Sequence, residues 1–141
     1  MMPTKRAEAV WNGNLKSGNG TMKVGSGSYE GAYSFATRFE DKSGSNPEEL
    51  IGAAHAGCFS MALSNELDKA GFTPNSVQTN AEVTIDPGAG AITTIKLTSK
   101  GNVPNIDNDK FQEIAEAAKK GCPVSKALSG VTIELDATLE N

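Results

Sequence analysis

Apolar and polar residues alternate along the first part of the chain. Ala7, Ala9 and Trp11 fall on one side of a stretch from Lys5 to Trp11, which predicts a short strand. Gly18–Gly27 is rich in Gly and Ser, so Thr21–Val24 is expected as a second strand bounded by turns. Tyr33–Phe39 alternates again, putting Tyr33, Phe35, Thr37 and Phe39 together and Arg38 on the opposite face beside Ala36. Strands joined by Gly-rich turns predict an antiparallel meander.

The rhythm then changes. After the polar stretch Asp41–Asn46 come the signals of a helix start: Asn46 as N-cap, Pro47 at the first helical position, and Glu48 and Glu49 in the first turn. Glu49, three residues after the cap, is placed to close a capping box. This helix should run to about Ala70, where Gly71 and then Pro74 stop it. Val77–Ile85 and Ile92–Val103 alternate cleanly around the turn residues Asp86–Gly90 and predict a hairpin. Asp107–Lys120 reads as a second helix closed by Gly121, and Cys122–Leu128 as a short third one with Pro123 at its start. Val131–Leu139 alternates as a final strand. The order βββ-α-ββ-αα-β predicts an α+β domain, with helices collected against antiparallel sheet.

Within the long helix nearly every position from Ala53 to Ala62 is small: Ala53, Ala54, Ala56, Gly57, Cys58, Ser60 and Ala62. A glycine inside a helix costs about 1 kcal/mol relative to alanine, so Gly57 implies an offsetting close approach. The helix is apolar nearly all round from Leu50 to Leu63 and should be buried on most faces. A chain of this size needs a second subunit to bury it completely, which predicts a homodimer.

Length changes the picture little: 141 residues fit one domain, residues 1–141, able to bury roughly two thirds of its unfolded surface. A net charge of −4, with basic residues no more clustered than Lys5-Arg6 and Lys119-Lys120, argues against nucleic acid as the main partner. No apolar run approaches the roughly 18 residues of a membrane span, and the first ten residues lack the apolar core of a signal peptide. A cytoplasmic location is therefore expected, where thiols are kept reduced and disulfides tend to be transient or catalytic.

That expectation directs attention to the only two cysteines, Cys58 in the long helix and Cys122 where the short helix begins. The thiolate is the useful nucleophile, and a free thiol is mostly protonated at neutral pH. Cys122 has local activators in its position before Pro123 and after Lys119 and Lys120. Cys58 sits in apolar surroundings that raise its pKa unless a cation approaches, either His55 at a spacing of three or Arg38, which is always charged. Burial of Cys58 as a small hydrophobe is the plain alternative, as is favourable helix-start charge for Glu48 and Glu49. The residues alone do not choose between the two thiols.

Arg38 with Phe35 and Phe39, Asn46-Pro-Glu-Glu-Leu50, Ala53-Ala-His-Ala-Gly-Cys-Phe-Ser-Met-Ala-Leu63, Gly71-Phe-Thr-Pro74 and Lys120-Gly-Cys-Pro-Val-Ser125 closely resemble the OsmC branch of the OsmC/Ohr family. The resemblance runs in order over almost the full chain. It implies antiparallel sheets packed around a long central helix in an intertwined homodimer, with active sites at the subunit interface. It implies a cysteine-dependent peroxidase that reduces organic hydroperoxides to alcohols, with no cofactor or metal. By position, Cys58 would be the peroxidatic cysteine and Cys122 the resolving cysteine. Arg38 would activate the thiolate and Glu48 would hold that arginine, while His55 stands where this branch usually has histidine. The implied reductant is a dithiol of the lipoyl type, and the implied substrates are alkyl or fatty-acid hydroperoxides.

Ten helical residues separate Glu48 from Cys58, an axial rise of about 15 Å. Unless Arg38 bridges most of that gap, the glutamate must come from the partner subunit. Two other readings compete with the peroxidase. One is a zinc site built on His55, Cys58 and Cys122, which lacks a clear fourth ligand. The other is a non-enzymatic dimeric binding module in which the small-residue helix is only an interface.

Overall fold

A computed structural model describes every residue of the chain, Met1–Asn141. Its contacts fall into two units, Met1–Leu50 and Ile51–Asn141.

In the first unit β1 (Ala7–Asn12), β2 (Asn19–Val24) and β3 (Glu30–Tyr33) form the expected antiparallel meander, in the order β1-β2-β3. Gly20 lies opposite Trp11 on one side and Tyr33 on the other. Its missing side chain lets those rings close over the middle strand, with centroids 5.3 Å apart.

The expectation of the third strand over Tyr33–Phe39 is corrected, because that strand lies earlier, at Glu30–Tyr33. The chain turns at Ser34 into a short helix, α1 (Phe35–Phe39). Ser34 Oγ accepts from the Thr37 backbone N–H at 3.2 Å, and the Ser34 N–H donates to Thr37 Oγ1 at 2.9 Å. This Ser-x-x-Thr capping box outweighs the alternation of the aromatics. Phe35 and Phe39 still share a face, now through an i, i+4 spacing, with ring centroids 5.0 Å apart. Arg38 is no longer opposite them: its guanidinium lies over the Phe39 ring, 5.2 Å from the centroid.

The long helix α2 (Pro47–Lys69) starts in the first unit and runs into the second. Asn46 caps it as expected, its Oδ1 accepting from the Glu49 N–H at 2.8 Å and its Nδ2 donating to the Thr37 carbonyl at 3.0 Å. Gly71, at φ +92, ends it.

The second unit continues with β4 (Ser76–Asp86), β5 (Ala91–Asn102), α3 (Asn108–Gly121), α4 (Pro123–Ala127) and β6 (Thr132–Leu139). The predicted α+β class holds, and so does the element order apart from the added α1, but the pairing is not purely antiparallel. β4 and β5 form the antiparallel hairpin, whereas β6 runs parallel to β5. The α3–α4 crossover between them causes this, because a helical connection returns the chain to the same end of the sheet.

One face of α2 supplies the core. His55, Phe59, Leu63 and Leu67, each four residues apart, are fully buried with Ile95 and Leu97 of β5 and Phe111 and Ala118 of α3. Close helix–sheet approach occurs at Gly52, where an added Cβ would come 3.3 Å from Val83 Cγ2. Gly57, expected to permit such an approach, instead faces open space. With Ala53, Ala54 and Met61, the last 76% exposed, it forms an uncovered apolar stripe. Burial on most faces is therefore not reached within one chain.

Gly101 of β5 lies beneath the Phe111 ring, and an added methyl would fall 2.7 Å from Phe111 Cε1. Gly101→Ala should destabilise the protein by about 1–3 kcal/mol, the cost of overpacking a filled core. Urea denaturation of Gly101→Ala, Phe111→Leu and the double variant should show the losses to be less than additive.

Candidate active site

The two cysteines, 64 residues apart in sequence, meet in the second unit. Cys58 comes from α2, beside core residue Phe59, and is half-buried. Cys122 occupies the junction of two helices. It is the C-cap of α3, its N–H donating to the Ala118 carbonyl, and the N-cap of α4, with Pro123 following at the first helical position. It is fully buried. Both are free thiols, and their Sγ atoms lie 3.0 Å apart.

Their environments push the two thiols apart in acidity. Burial raises the pKa of Cys58, and the adjacent Cys122 thiol pushes the same way, outweighing a backbone N–H from Val124. Burial also opposes ionisation of Cys122, but hydrogen bonding from Cys58, from the backbone N–H groups of Ser125 and Val124, and from the Ser125 hydroxyl carries it below the ordinary thiol value. As a neutral thiol Cys122 makes no side-chain capping bond. The donors around it favour the anion.

His55 sits one helical turn before Cys58 on α2 and is completely buried. Its Nε2 lies 2.7 Å from Ser125 Oγ, whereas its Nδ1 is buried with no partner. Burial lowers its pKa, so the imidazole is neutral. Sequence reasoning considered His55 as a cation for Cys58 and did not single out Ser125. The signal was present in the Cys-Pro-x-Ser spacing: three residues into a helix, the serine side chain returns toward its N-cap.

The other two candidates pair in the first unit. Arg38 Nε donates to Glu48 Oε1 at 2.9 Å and Nη2 to Oε2 at 3.1 Å, a bidentate fork that fixes the guanidinium plane. The Glu48 side chain is 9% exposed and that of Arg38 33%. Arg38 also lines a cavity of about 230 Å³ with Trp11, Leu15, Tyr33, Phe35 and Phe39. This pocket has aromatic walls and one cationic edge, suited to an apolar molecule with a polar end.

The zinc reading does not fit the arrangement. No three His, Cys, Asp or Glu side chains converge as a metal-ligand group, and His55 directs Nε2 to Ser125. No helix is long and apolar enough to cross a membrane.

Known proteins of one family are similar to the chain over most of its length. The family model described as OsmC-like protein matches residues 40–136. Peroxiredoxin OsmC of Escherichia coli is 51% identical over 140 residues, covering 97% of each chain. Organic hydroperoxide resistance protein OhrB of Bacillus subtilis is 32% identical over 99 residues, covering 69% of this chain and 72% of that protein. Among solved structures, an organic hydroperoxide resistance protein from Elizabethkingia anophelis is 25% identical with a TM-score of 0.71, covering 100% of this chain and 99% of that one. An OsmC-like protein from Mycoplasma pneumoniae shares the fold at 18% identity and a TM-score of 0.77, with both chains covered in full. The chain belongs to the OsmC-like protein family.

His55 is the only histidine, which makes its burial measurable. Its folded-state pKa lies below the ordinary 6.5, so on acidification the unfolded chain takes up the proton first. Its stabilising contribution is complete above pH 6.5 and declines as the pH falls below it, by at most about 1.4 kcal/mol per pH unit. Urea midpoints at pH 7.5 and pH 5.5 should therefore differ more in the wild type than in His55→Gln.

Proposed function

We propose that the protein is a cysteine-based peroxidase that reduces organic hydroperoxides to alcohols, acting as a homodimer over residues 1–141 taken as one domain. The observation that carries this reading is the 3.0 Å approach of Cys58 and Cys122 as free thiols. The names of the relatives, peroxiredoxin and organic hydroperoxide resistance protein, favour the same chemistry.

In this reading the Cys58 thiolate attacks the distal peroxide oxygen. An S–O bond forms, the O–O bond breaks, and the departing alkoxide takes a proton to become the alcohol. Cys58 is left as a sulfenic acid. Cys122 then attacks that sulfur, forming the disulfide as the S–O bond breaks and the hydroxyl leaves as water. An external dithiol of the lipoyl type restores both thiols. The half-buried position of Cys58 suits it to meet substrate, and the deeper Cys122 suits it to capture the oxidised product.

Burial and the neighbouring Cys122 thiol both hold Cys58 protonated, so the reaction requires a cation there. Arg38, its plane fixed by Glu48, is the group we assign to supply it and to stabilise the alkoxide. We assign that role across the dimer, one protomer's Arg38–Glu48 pair serving Cys58 of the other. The uncovered stripe of Ala53, Ala54, Gly57 and Met61 supports an α2-centred interface. The aromatic cavity beside Arg38 suits the organic part of an alkyl or fatty-acid hydroperoxide.

One equivalent of tert-butyl hydroperoxide should consume two thiols per chain and yield one intramolecular disulfide. A binding module would lose none. Cys58→Ser should abolish turnover, and Arg38→Ala should lower kcat/KM by about 10²-fold or more, the scale of removing a charge-stabilising donor. Mixed dimers of Glu48→Ala and Cys58→Ser chains should recover activity from one intact composite site; no recovery would refute the cross-dimer assignment.

A further inference from the structure

His55 is a buried titratable group that the peroxidase chemistry leaves without a task. It lies in the helix stripe otherwise filled by Phe59, Leu63 and Leu67, where an apolar residue would pack without cost to hydrogen bonding. Its single polar contact is Ser125, on the helix that Cys122 caps.

The hydrogen-bond inventory sets a direction to this contact. Neutral imidazole carries a proton on one nitrogen and a lone pair on the other. A buried N–H without an acceptor is rarer and costlier than a buried lone pair without a donor. The partnerless Nδ1 is therefore the bare nitrogen, and Nε2–H donates to Ser125 Oγ. With its oxygen occupied as acceptor, the Ser125 hydroxyl has its own hydrogen free to donate onward, and Cys122, the N-cap three residues before it on α4, is the neighbouring acceptor. The donors would then run one way, from His55 Nε2–H to Ser125 Oγ–H and on toward Cys122 Sγ.

We propose that His55 is a positioning residue that acts through Ser125, aiming the serine hydroxyl at Cys122 so that Cys122 is the sulfur released as thiolate when the Cys58–Cys122 disulfide is reduced. This rests on the peroxidase reading above. An incoming dithiol attacks Cys58 Sγ as a thiolate. The new S–S bond forms there, the Cys58–Cys122 bond breaks, and its electron pair passes to Cys122, where the Ser125 hydroxyl donates to it. The second thiol of the reductant then attacks the mixed disulfide, expelling the Cys58 thiolate and leaving the reductant as a cyclic disulfide. A better-stabilised leaving thiolate departs faster. Access agrees, since Cys58 is half-buried and Cys122 is fully enclosed. The titratable group in contact with Cys122 is Cys58, and His55 contacts Ser125 on the helix that Cys122 caps, both groups coming from α2.

Two conservative variants separate this role from packing. Ser125→Thr keeps the hydroxyl and Ser125→Ala removes it. His55→Gln keeps an N–H near the Nε2 position and His55→Leu removes it. In a Cys58→Ser background, absorbance of the Cys122 thiolate against pH should shift its midpoint upward by about one unit, a tenfold change in ionisation, for Ser125→Ala and His55→Leu. Ser125→Thr and His55→Gln should stay near the parent. In the two-cysteine protein, Ser125→Ala and His55→Leu should slow reduction of the preformed disulfide by dithiothreitol several-fold, with the conservative pair again close to wild type. A monothiol, glutathione, added to oxidised wild type should yield its adduct on Cys58 by peptide mapping.

Equal midpoints in all four variants, or an adduct on Cys122, would overturn the proposal. Failure of the wild type to form a disulfide with hydroperoxide would instead overturn the peroxidase reading, while the Cys122 titration would still report on the donor chain. Circular dichroism of each variant identifies any that does not fold, and the His55→Gln and Ser125→Thr comparison then decides.

Discussion

Everything distinctive about this chain depends on holding the buried sulfur of residue 122 at a single place against α2. A cysteine side chain is short, so its backbone must be delivered to within a few ångströms of its partner. Here that is done by making Cys122 the end of one helix and the start of the next. Phe111, Ile114, Ala115 and Ala118 anchor α3 in the core, and Pro123 fixes the direction in which the chain leaves. The β5–α3–α4–β6 crossover, closed by parallel pairing, ties this junction at one end to β5, which carries Ile95 and Leu97, and at the other to β6. The thiol pair is thus a property of the core and not of a surface loop.

The same core gives the two sulfurs different characters. Cys58 lies on the edge of the buried stripe of α2, where desolvation dominates. Cys122 is surrounded by the first-turn donors of α4, which offset its deeper burial. A mid-helix position offers a thiol no free backbone N–H, because each is already committed to the helix ladder, whereas a helix start offers several. The division of labour proposed above, attack on substrate by one thiol and capture of the product by the other, would follow from that difference in backbone environment. In the proposed mechanism Arg38 and Glu48 would supply the missing positive charge as a unit whose orientation is set by their bidentate fork before any substrate arrives.

Most of the architecture was legible in the residues. The cap at Asn46, the stop at Gly71 and the turn at Asp86–Gly90 are local signals, and the elements they bound form where expected. Two features were not. At Ser34 the alternation of Tyr33, Phe35 and Phe39 obeys strand and helix periodicity about equally over so short a span, and the decision fell to a side-chain cap worth about 1 kcal/mol. The parallel setting of β6 depends on where a crossover returns the chain, which no period within the strand records. The site divided similarly. Pairing of Arg38 with Glu48 was expected by resemblance and is present, but the His55–Ser125 contact spans 70 residues and had no pattern to announce it. The small residues of α2 were informative in an unexpected way, since Gly52 meets the sheet while Gly57 meets nothing in its own chain.

Linking residues 58 and 122 would fasten the crossover to α2 through a covalent ring of more than sixty residues. Chain-entropy reasoning gives a closure of that length a stabilising effect of about 4 kcal/mol. A catalyst built this way would alternate between a looser resting fold and a clamped oxidised one with every turnover. Resistance to heat or proteolysis would then record how much of the protein awaits its electron donor.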